Sequence, residues 1–494
     1  MRQKKAFLNM ASGLFLHAMN ILSGFIIPRL ILLNYGSTIN GVTNSISQFL
    51  SYVALVEMGI GNASIVKLYE PMTTNDNDTI SKIISETRRK YLRATVAYSI
   101  IVLLLSFLFP IIIRSQIDYR LSWSLFLILG INGALDFLLV GKYKALLIAM
   151  QQYYIYNICH AVAVVLVLIA SIPLITTGRS IVFIKSLLIA FHIVEALILS
   201  LYCHAKYPSI KFNKTDHIIF EQQRGSIIIQ LAAVITYNTD MITLTLFAGV
   251  NSLIEVSVYS TYMLTYSVII NLLLIITNAV FPGFGELIAK KDSNELRKAC
   301  DSYEFWYQNI LGVVYCIYAL SLLPFIQIYT RGVNDGNYIR PIAMLCFWAA
   351  AYTAQVKDSS NILITSAGKY NESKKYYVLE ATINLFLSLL LVHKYGICGV
   401  LVATIISHLY LDNMIIVYVS KHITNTKITK TYSRILRNFA LIVFLFFIEK
   451  RYTDYITDVK SWIIVIGVMT IINCIMITFI NILVEKRFVI SFRK

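Results

Sequence analysis

Long apolar segments, each close to the length of a membrane-spanning helix, follow one another along this chain of 494 residues with only short polar gaps between them. A helix needs about 20 residues to cross about 30 Å of hydrocarbon, and about fourteen segments approach that length. We place them at 6–33, 39–66, 92–113, 121–141, 153–175, 181–203, 226–249, 256–282, 304–329, 339–366, 377–393, 396–419, 438–449 and 461–484. Because isolated strands would leave backbone groups unpaired in lipid, the segments are predicted to be helices. The pattern predicts an all-α polytopic membrane protein.

The distribution of basic residues predicts the orientation. Roughly 31 of the 43 Lys and Arg lie in the N-terminus, the even-numbered gaps and the tail, about 10 lie in the odd-numbered gaps, and two lie inside spans. Short cytoplasmic loops are enriched in Lys and Arg, so both termini are predicted to be cytoplasmic. A nucleic-acid-binding surface would instead be a clustered basic patch. The net charge of +17 therefore does not indicate a nucleic-acid partner.

Two sparse internal similarities suggest a duplicated architecture. Residues 62–70, at the end of the second span, and residues 278–286, at the end of the eighth, both begin with Asn-Ala and end with Glu. Gly36 and Gly249 likewise end the first and seventh spans. Halves with an even number of spans have parallel topology. We predict a six-helix bundle at 1–203, a cytoplasmic linker at 204–225, a second six-helix bundle at 226–420 around a shared central cavity, and a cytoplasmic loop with two further helices and a tail at 421–494.

Ionisable residues inside spans are candidates for function, because each costs roughly 2.5–3.5 kcal/mol at the centre of a span on insertion scales. They are Arg29, Glu57, Asp136, Glu195, Asp240, Lys357, Asp358 and Asp412, together with His17, His160, His192 and His408. Helix capping or an interfacial position explains Glu57, Asp136, Glu195 and Asp412 at least as well. The histidines either relay protons or form ordinary packing hydrogen bonds.

Asp240 carries the clearest pattern. Thr236 and Thr243 lie on its helix face, and Tyr237 and Gln230 flank that stripe. The first span has a comparable stripe of Asn9, Ser12, Asn20 and Ser23. The two stripes either face each other across a hydrated cavity or form interhelical hydrogen bonds, typically ~0.6 kcal/mol each.

Arg29 and Lys357 are the two basic residues that the orientation pattern leaves unexplained. Arg29 follows Pro28 and either faces an anionic substrate or extends to the outer interface. Lys357 and Asp358 are adjacent, about 100° apart on a helix, so they pair poorly with each other. We take Arg29, Lys357, Asn20, Tyr237 and Gln230 as candidate substrate-binding residues, and Asp240, Asp358 and Glu57 as candidate ion-coupling residues.

Several functions lack their sequence signatures. The seven cysteines have no metal-ligand spacing, no phosphate-binding glycine loop with Lys-Ser/Thr is present, and no potassium-channel filter sequence occurs. No loop exceeds about 25 residues, too few for a separate catalytic domain. We expect no metal, no cofactor and no enzymatic activity.

Residues 35–61 carry a specific pattern. It consists of Tyr35-Gly36, then Asn40-Gly41, then Glu57-Met58-Gly59-Ile60-Gly61. This segment resembles the first loop and second helix of bacterial polysaccharide repeat-unit (Wzx-type) flippases, which belong to the MATE-like multidrug/oligosaccharidyl-lipid/polysaccharide exporter superfamily.

The resemblance implies two six-helix bundles around a central cavity in the bacterial cytoplasmic membrane. It implies export of an undecaprenyl-pyrophosphate-linked oligosaccharide for capsule, O-antigen or a similar glycan. Membrane lipids, and the glycosyltransferases and polymerase of the same pathway, are the expected partners. As a separate hypothesis, an acidic group such as Asp240 takes up H⁺ or Na⁺ and couples it to transport. Relatives with fourteen spans include lipid II flippases, whose last two helices shape a groove for the lipid tail. A multidrug antiporter with an acidic, aromatic cavity, a lipid II flippase, and a scaffold protein are the alternatives.

Overall fold

The computed structural model describes residues 2–74, 76–212, 224–290 and 292–485, and within them the regular structure is helical. The helices are α1 Arg2–Val53, α2 Ile60–Thr73, α3 Asn77–Ile113, α4 Tyr119–Leu135, α5 Gly141–Ala149, α6 Tyr153–Thr176, α7 Ile181–Lys206, α8 Arg224–Phe247, α9 Ser252–Lys290, α10 Ser293–Tyr329, α11 Pro341–Val356, α12 Asp358–Ser366, α13 Tyr370–Val419, α14 Ile428–Glu449 and α15 Val459–Val484. The all-α prediction is confirmed for these residues.

Eleven helices in the described ranges are long and apolar enough to cross a membrane. Two of the fifteen helices, α1 and α13, are broken by a glycine with non-helical backbone angles, Gly36 (φ 83°) and Gly396 (φ 52°). A side chain at such angles would be strained, so glycine allows the chain to turn there. The predicted tenth span is divided into α11 and α12. The number fourteen and the cytoplasmic termini stay predictions.

The last helix shows the polarity expected in lipid. On α15, Ile464 and Ile471 are 65% and 63% exposed, whereas Asn473 and Asn481 are fully buried. This arrangement reverses that of a water-soluble helix. In a bilayer the exposed apolar side chains meet lipid, and the buried amides hydrogen-bond to neighbouring helices.

The chain divides into two compact units. The first comprises Met1–Ile227 and Gly249–Ser257, and its interior holds two apolar clusters, one centred on α1, α3 and α4 and the other on α3, α5 and α7. The segment that begins α9 is held inside this unit. The Gln116 side chain accepts a hydrogen bond from the Leu253 N–H and donates one to the Ser252 hydroxyl, both at 2.9 Å. Asn40 donates to the Ser257 hydroxyl at 2.8 Å.

The second unit comprises Ile228–Ala248 and Val258–Lys494. Its apolar core is built from α8, α9, α10, α12 and α13. The C-terminal pair α14 and α15 packs on α10 through buried polar groups. Asn481 donates to Asn309 and Asn438 at 2.8 Å each, and Asn438 donates to the Gln308 carbonyl at 2.7 Å. The two terminal helices are thus an integral part of this unit. The predicted thirteenth span, 438–449, is longer than expected, because α14 already begins at Ile428.

Candidate functional site

Lys357 stands at the junction of α11 and α12, in the interior of the second unit. Its side chain is buried, its Nζ donates to the Ala354 carbonyl at 2.7 Å, and the same nitrogen lies 3.9 Å from Oδ1 of Asp412. The contact with Ala354 satisfies a carbonyl at the C-terminal end of α11, where carbonyls lack helical partners. Lys357 therefore combines a structural bond with an ion pair.

A cavity of about 440 Å³ in the second unit brings several predicted residues together; we call it the acidic cavity. It is lined by three of the candidates predicted from sequence, Tyr237, Lys357 and Asp358. Tyr377 and Glu380 line it as well. Its other walls come mainly from α8, α9 and α12, with Thr236, Asn278, Phe281, Asn361 and Tyr370 among them. Candidate residues distant in sequence thus share one site.

The charges around Lys357 are mostly negative. Asp412 is buried and neither of its carboxylate oxygens has a hydrogen-bond partner among the described residues. Glu380 is buried too, with Oε1 3.9 Å from Nε2 of His408. One lysine thus faces the carboxylates of Asp358, Glu380 and Asp412. The candidates from sequence do not include Glu380, although it lies four positions into the predicted eleventh span. For Asp412, helix capping or an interfacial position explained the sequence at least as well as a functional role.

Asp240 is buried beside this cavity and belongs to a hydrogen-bonded group of its own. Its Oδ2 accepts hydrogen bonds from the hydroxyls of Tyr259 and Thr404, both at 2.9 Å. Asn384 donates to the Thr404 hydroxyl at 2.9 Å, and the Ser388 hydroxyl lies near the Asp240 carboxylate without a hydrogen bond of normal geometry. Thr236 and Tyr237 line both the acidic cavity and the small void next to Asp240.

Three oxygens in this group lack a hydrogen-bond partner within the described part of the chain: Oδ1 of Asp240, Oδ1 of Asn384 and Oγ of Ser388. Buried polar atoms are normally paired, so each invites a missing partner. Carboxylate, amide and hydroxyl oxygens suit a hard cation, and a carboxylate also suits a proton. The arrangement can hold one monovalent cation or proton at Asp240.

The first unit contains a separate cavity of about 370 Å³. Asn20 and Ser23 of α1 line it, together with Asn132, His160, His192 and Glu195. Glu195 is buried between two histidines: Nδ1 of His160 lies 3.0 Å from its Oε1, and Nδ1 of His192 lies 3.7 Å from its Oε2. His192 continues the series to Asp136, with Nε2 3.8 Å from Oδ1.

The sequence could not find this histidine–carboxylate series as a unit, because its members lie on α6, on α7 and in the turn after α4. Only the spacing of His192 and Glu195, three residues apart on one helix, was a local signal.

The polar stripe of α1 divides in two. Asn9 and Ser12 hydrogen-bond to α6 and its preceding turn, whereas Asn20 and Ser23 face the cavity. Asn9 and Ser12 thus form the interhelical hydrogen bonds that one of the two interpretations predicted.

The remaining candidates lie elsewhere. Arg29 is half-buried after Pro28 and is not among the residues lining the first-unit cavity, and the exposed Gln230 does not line the acidic cavity. Glu57 ends a 3₁₀ turn at Ala54–Glu57 and interacts electrostatically with Asp136 and Lys144. Whether the stripes of α1 and α8 face one central cavity stays a prediction.

No family model and no curated protein matches the chain. Solved structures do. An inward-facing multidrug resistance MATE family transporter of the MOP superfamily is similar with a TM-score of 0.66 and 12% identity, over 87% of this chain and 99% of that one. The lipid II flippase MurJ, in an inward closed conformation, is similar with a TM-score of 0.63 and 12% identity, over 97% of this chain and 100% of that one. The chain therefore has the fold of these membrane transporters.

Proposed function

We propose that the protein is a flippase that moves undecaprenyl-pyrophosphate-linked oligosaccharide repeat units from the inner to the outer leaflet of the bacterial cytoplasmic membrane. A pyrophosphate-sugar head group cannot cross hydrocarbon without a hydrated path, because desolvating its charges costs too much. Alternating access between two bundles supplies such a path while the polyprenyl tail stays in lipid. Capsule and O-antigen precursors are substrates of this chemical class.

The observation that carries the proposal is the C-terminal helix pair. The likeness to the lipid II flippase extends over 97% of this chain, against 87% for the multidrug transporter. In this chain α14 and α15 are fastened to α10 by the buried bonds of Asn438 and Asn481. An integral last helix pair suits a lipid-linked cargo, whose tail needs a groove at the protein surface.

The acidic cavity then serves ion coupling and not pyrophosphate binding. Three carboxylates around Lys357 would repel a pyrophosphate and attract a cation or proton. We therefore reassign Lys357 from substrate contact to charge compensation inside this cluster. H⁺ or Na⁺ binds at Asp240 and biases the two states of the transporter, as any ligand with different affinities for two conformations does. Arg29 remains the candidate contact for the pyrophosphate, and Asn20 for the glycan.

A flipping assay in proteoliposomes tests the proposal. A fluorescent undecaprenyl-pyrophosphate-linked oligosaccharide is placed in the bilayer, and its accessibility to a membrane-impermeant quencher is followed with and without an H⁺ or Na⁺ gradient. We expect gradient-dependent transfer by the wild-type protein and by Asp454→Asn, which changes an exposed carboxylate of the turn after α14. Absence of transfer by the wild-type protein under every gradient contradicts the proposal.

A cation-coupled multidrug antiporter is the second candidate, and the acidic cavity favours it. Tyr237, Tyr370 and Tyr377 surround Asp358 and Glu380 there, and aromatic rings with carboxylates bind organic cations. Proteoliposomes that exchange a fluorescent organic cation for H⁺ or Na⁺, but do not flip the glycolipid, would assign the protein to this class. A lipid II flippase would flip lipid II in place of the oligosaccharide carrier.

A further inference from the structure

A second cavity in the second unit, distant in sequence from the acidic one, has the opposite charge. It has a volume of about 460 Å³ and lies where α14 begins, between α10, α12 and the end of α13; we call it the basic cavity. Five cations line it: Arg297, Lys298, Lys427, Lys430 and Arg434. The orientation pattern of the sequence predicts that this end of the helices is cytoplasmic.

Two carboxylates line the basic cavity, and both are already paired. Asp301 binds Lys430 at 2.6 Å and Arg434 at 2.8 Å, while Glu304 binds Arg434 at 3.0 Å. Among the described residues, no ion pair involves Arg297, Lys298 or Lys427. Arg297 uses its Nε on the Thr424 carbonyl at 2.8 Å. The cavity therefore has positive charge that its own carboxylates leave uncompensated.

The wall also offers neutral hydrogen-bond donors. Ser359, in the first turn of α12, is 5% exposed, and its hydroxyl lines the cavity without a hydrogen-bond partner in the described structure. A buried hydroxyl without a partner costs free energy, typically about 1–3 kcal/mol. Serine and threonine side chains from α12, α14 and the segment between α13 and α14 complete the wall. A ligand with acceptor oxygens would satisfy the Ser359 hydroxyl.

A helix N-terminus opens at the same place. α14 begins at Ile428, and the side chain of Lys427 in the preceding position makes no capping bond. The free N–H groups of a helix start and the positive end of its dipole favour an anion. The uncompensated cations, the unpaired Ser359 hydroxyl and the uncapped helix start all favour the same ligand, a compact anion with several oxygen acceptors.

We propose that the basic cavity binds a phosphate group. Arg297, Lys298 and Lys427 supply the charge, and Ser359 donates a hydrogen bond at the inner end. A phospholipid headgroup and free inorganic phosphate present the same oxygens, and basic pockets between helices on the cytoplasmic side are typical lipid-headgroup sites. The proposal is independent of the cargo, because none of these residues lines the acidic cavity.

The test measures the melting temperature of the purified full-length protein in detergent, with phosphatidylglycerol, with phosphatidylcholine, or with inorganic phosphate. A ligand that binds only the folded state raises the melting temperature. We expect phosphatidylglycerol or inorganic phosphate, and not phosphatidylcholine, to raise the melting temperature of the wild-type protein. The arm that gives the shift identifies the source of the phosphate.

Matched variants decide whether the cavity is responsible. Lys298→Gln/Lys427→Gln and Ser359→Ala should each weaken phosphate binding about tenfold or more, since charge-assisted hydrogen bonds are lost. Lys450→Gln/Lys460→Gln removes the same charge at the far ends of α14 and α15 and should behave as wild type. Ser359→Ala removes no intramolecular bond, so it should fold normally. Two results would overturn the proposal: equal shifts of the melting temperature in the cavity variants and the control variant, or no shift of the wild-type melting temperature with any phosphate compound.

Discussion

The Tyr259 hydroxyl donates a 2.9 Å hydrogen bond to Oδ2 of Asp240 in the buried interior of the second unit. The other carboxylate oxygen has no partner among the described residues. The donor bonds fix the orientation of the carboxylate and leave Oδ1 available for a cation or proton. A buried carboxylate with one satisfied and one open oxygen is better suited to reversible binding than to permanent packing.

Asp240→Asn should abolish ion-coupled transport while leaving the amount of folded protein unchanged. The amide has nearly the shape of the carboxylate and still accepts from Tyr259 and Thr404, but it carries no charge to attract a cation. The measurement is gradient-driven flipping in proteoliposomes, or surface polysaccharide in cells matched for protein level. Asp454→Asn is the control, and wild-type transport by Asp240→Asn would remove Asp240 from the mechanism.

Lys357→Met should destabilise the protein by about 3–5 kcal/mol, the typical loss when one partner of a buried ion pair is removed. Its removal leaves Asp412 without its 3.9 Å partner and Ala354 without its donor. Denaturation in detergent measures the free energy of unfolding. Lys357→Met/Asp412→Asn should recover part of the loss, because it also removes the carboxylate that pairs with Lys357, while Asp358 and Glu380 keep their charges. A double variant no more stable than Lys357→Met would show that the ion pair contributes little.

Much of the fold could be predicted from sequence, because length and apolarity alone determine where a helix must lie in lipid. Gly36 and Gly249, noted as equivalent positions, both adopt a positive φ, 83° and 87°. The residues of the candidate site were harder to predict from sequence. The candidates Tyr237, Lys357 and Asp358 do lie at one cavity. The carboxylates that set its charge, Glu380 and Asp412, come from α13, which is distant in sequence from these candidates. Only tertiary packing reveals that neighbourhood.

The motif Asn40-Gly41 has a steric basis that the sequence did not disclose. A Cβ on Gly41 would lie 1.8 Å from the Leu253 carbonyl oxygen, so α1 and the start of α9 touch through bare backbone. Gly41→Ala should therefore destabilise the protein markedly and lower its transport, whereas Gly467→Ala, with no atom within 4 Å of the new Cβ, should be neutral or stabilising by up to about 1 kcal/mol. Thermal unfolding of both variants provides the check. Equal stability of the two would mean that the α1–α9 contact relaxes freely.

Arg434 fastens the C-terminal pair and gives stability a pH dependence. Its guanidinium binds Glu485 at 2.8 Å, Asp301 at 2.8 Å and Glu304 at 3.0 Å while almost completely buried. Arg434→Gln removes the buried cation that these three carboxylates share and should cost about 3–5 kcal/mol, although Asp301 keeps Lys430 and Glu485 keeps Arg437. Lys430→Gln, which breaks only a half-exposed pair with Asp301, should cost less than about 1 kcal/mol. Chemical denaturation and proteolysis of the 420–427 segment compare the two.

Burial alone would raise the pKa of Glu485, which follows α15, but hydrogen bonds from Arg434 and Arg437 hold that pKa below its ordinary value. A carboxyl whose pKa is lowered by folding stabilises the protein fully above its unfolded-state pKa, and the stabilisation is lost as pH falls through the lowered folded-state value. The stability of the wild-type protein should thus decline on acidification below the ordinary glutamate range, near pH 4.3. Arg434→Gln should lack the part of this decline that comes from the Arg434–Glu485 pair. Unfolding midpoints of both proteins between about pH 7 and pH 3 measure the difference. Parallel acid profiles would show that the Arg434–Glu485 pair does not set the stability of the helix pair.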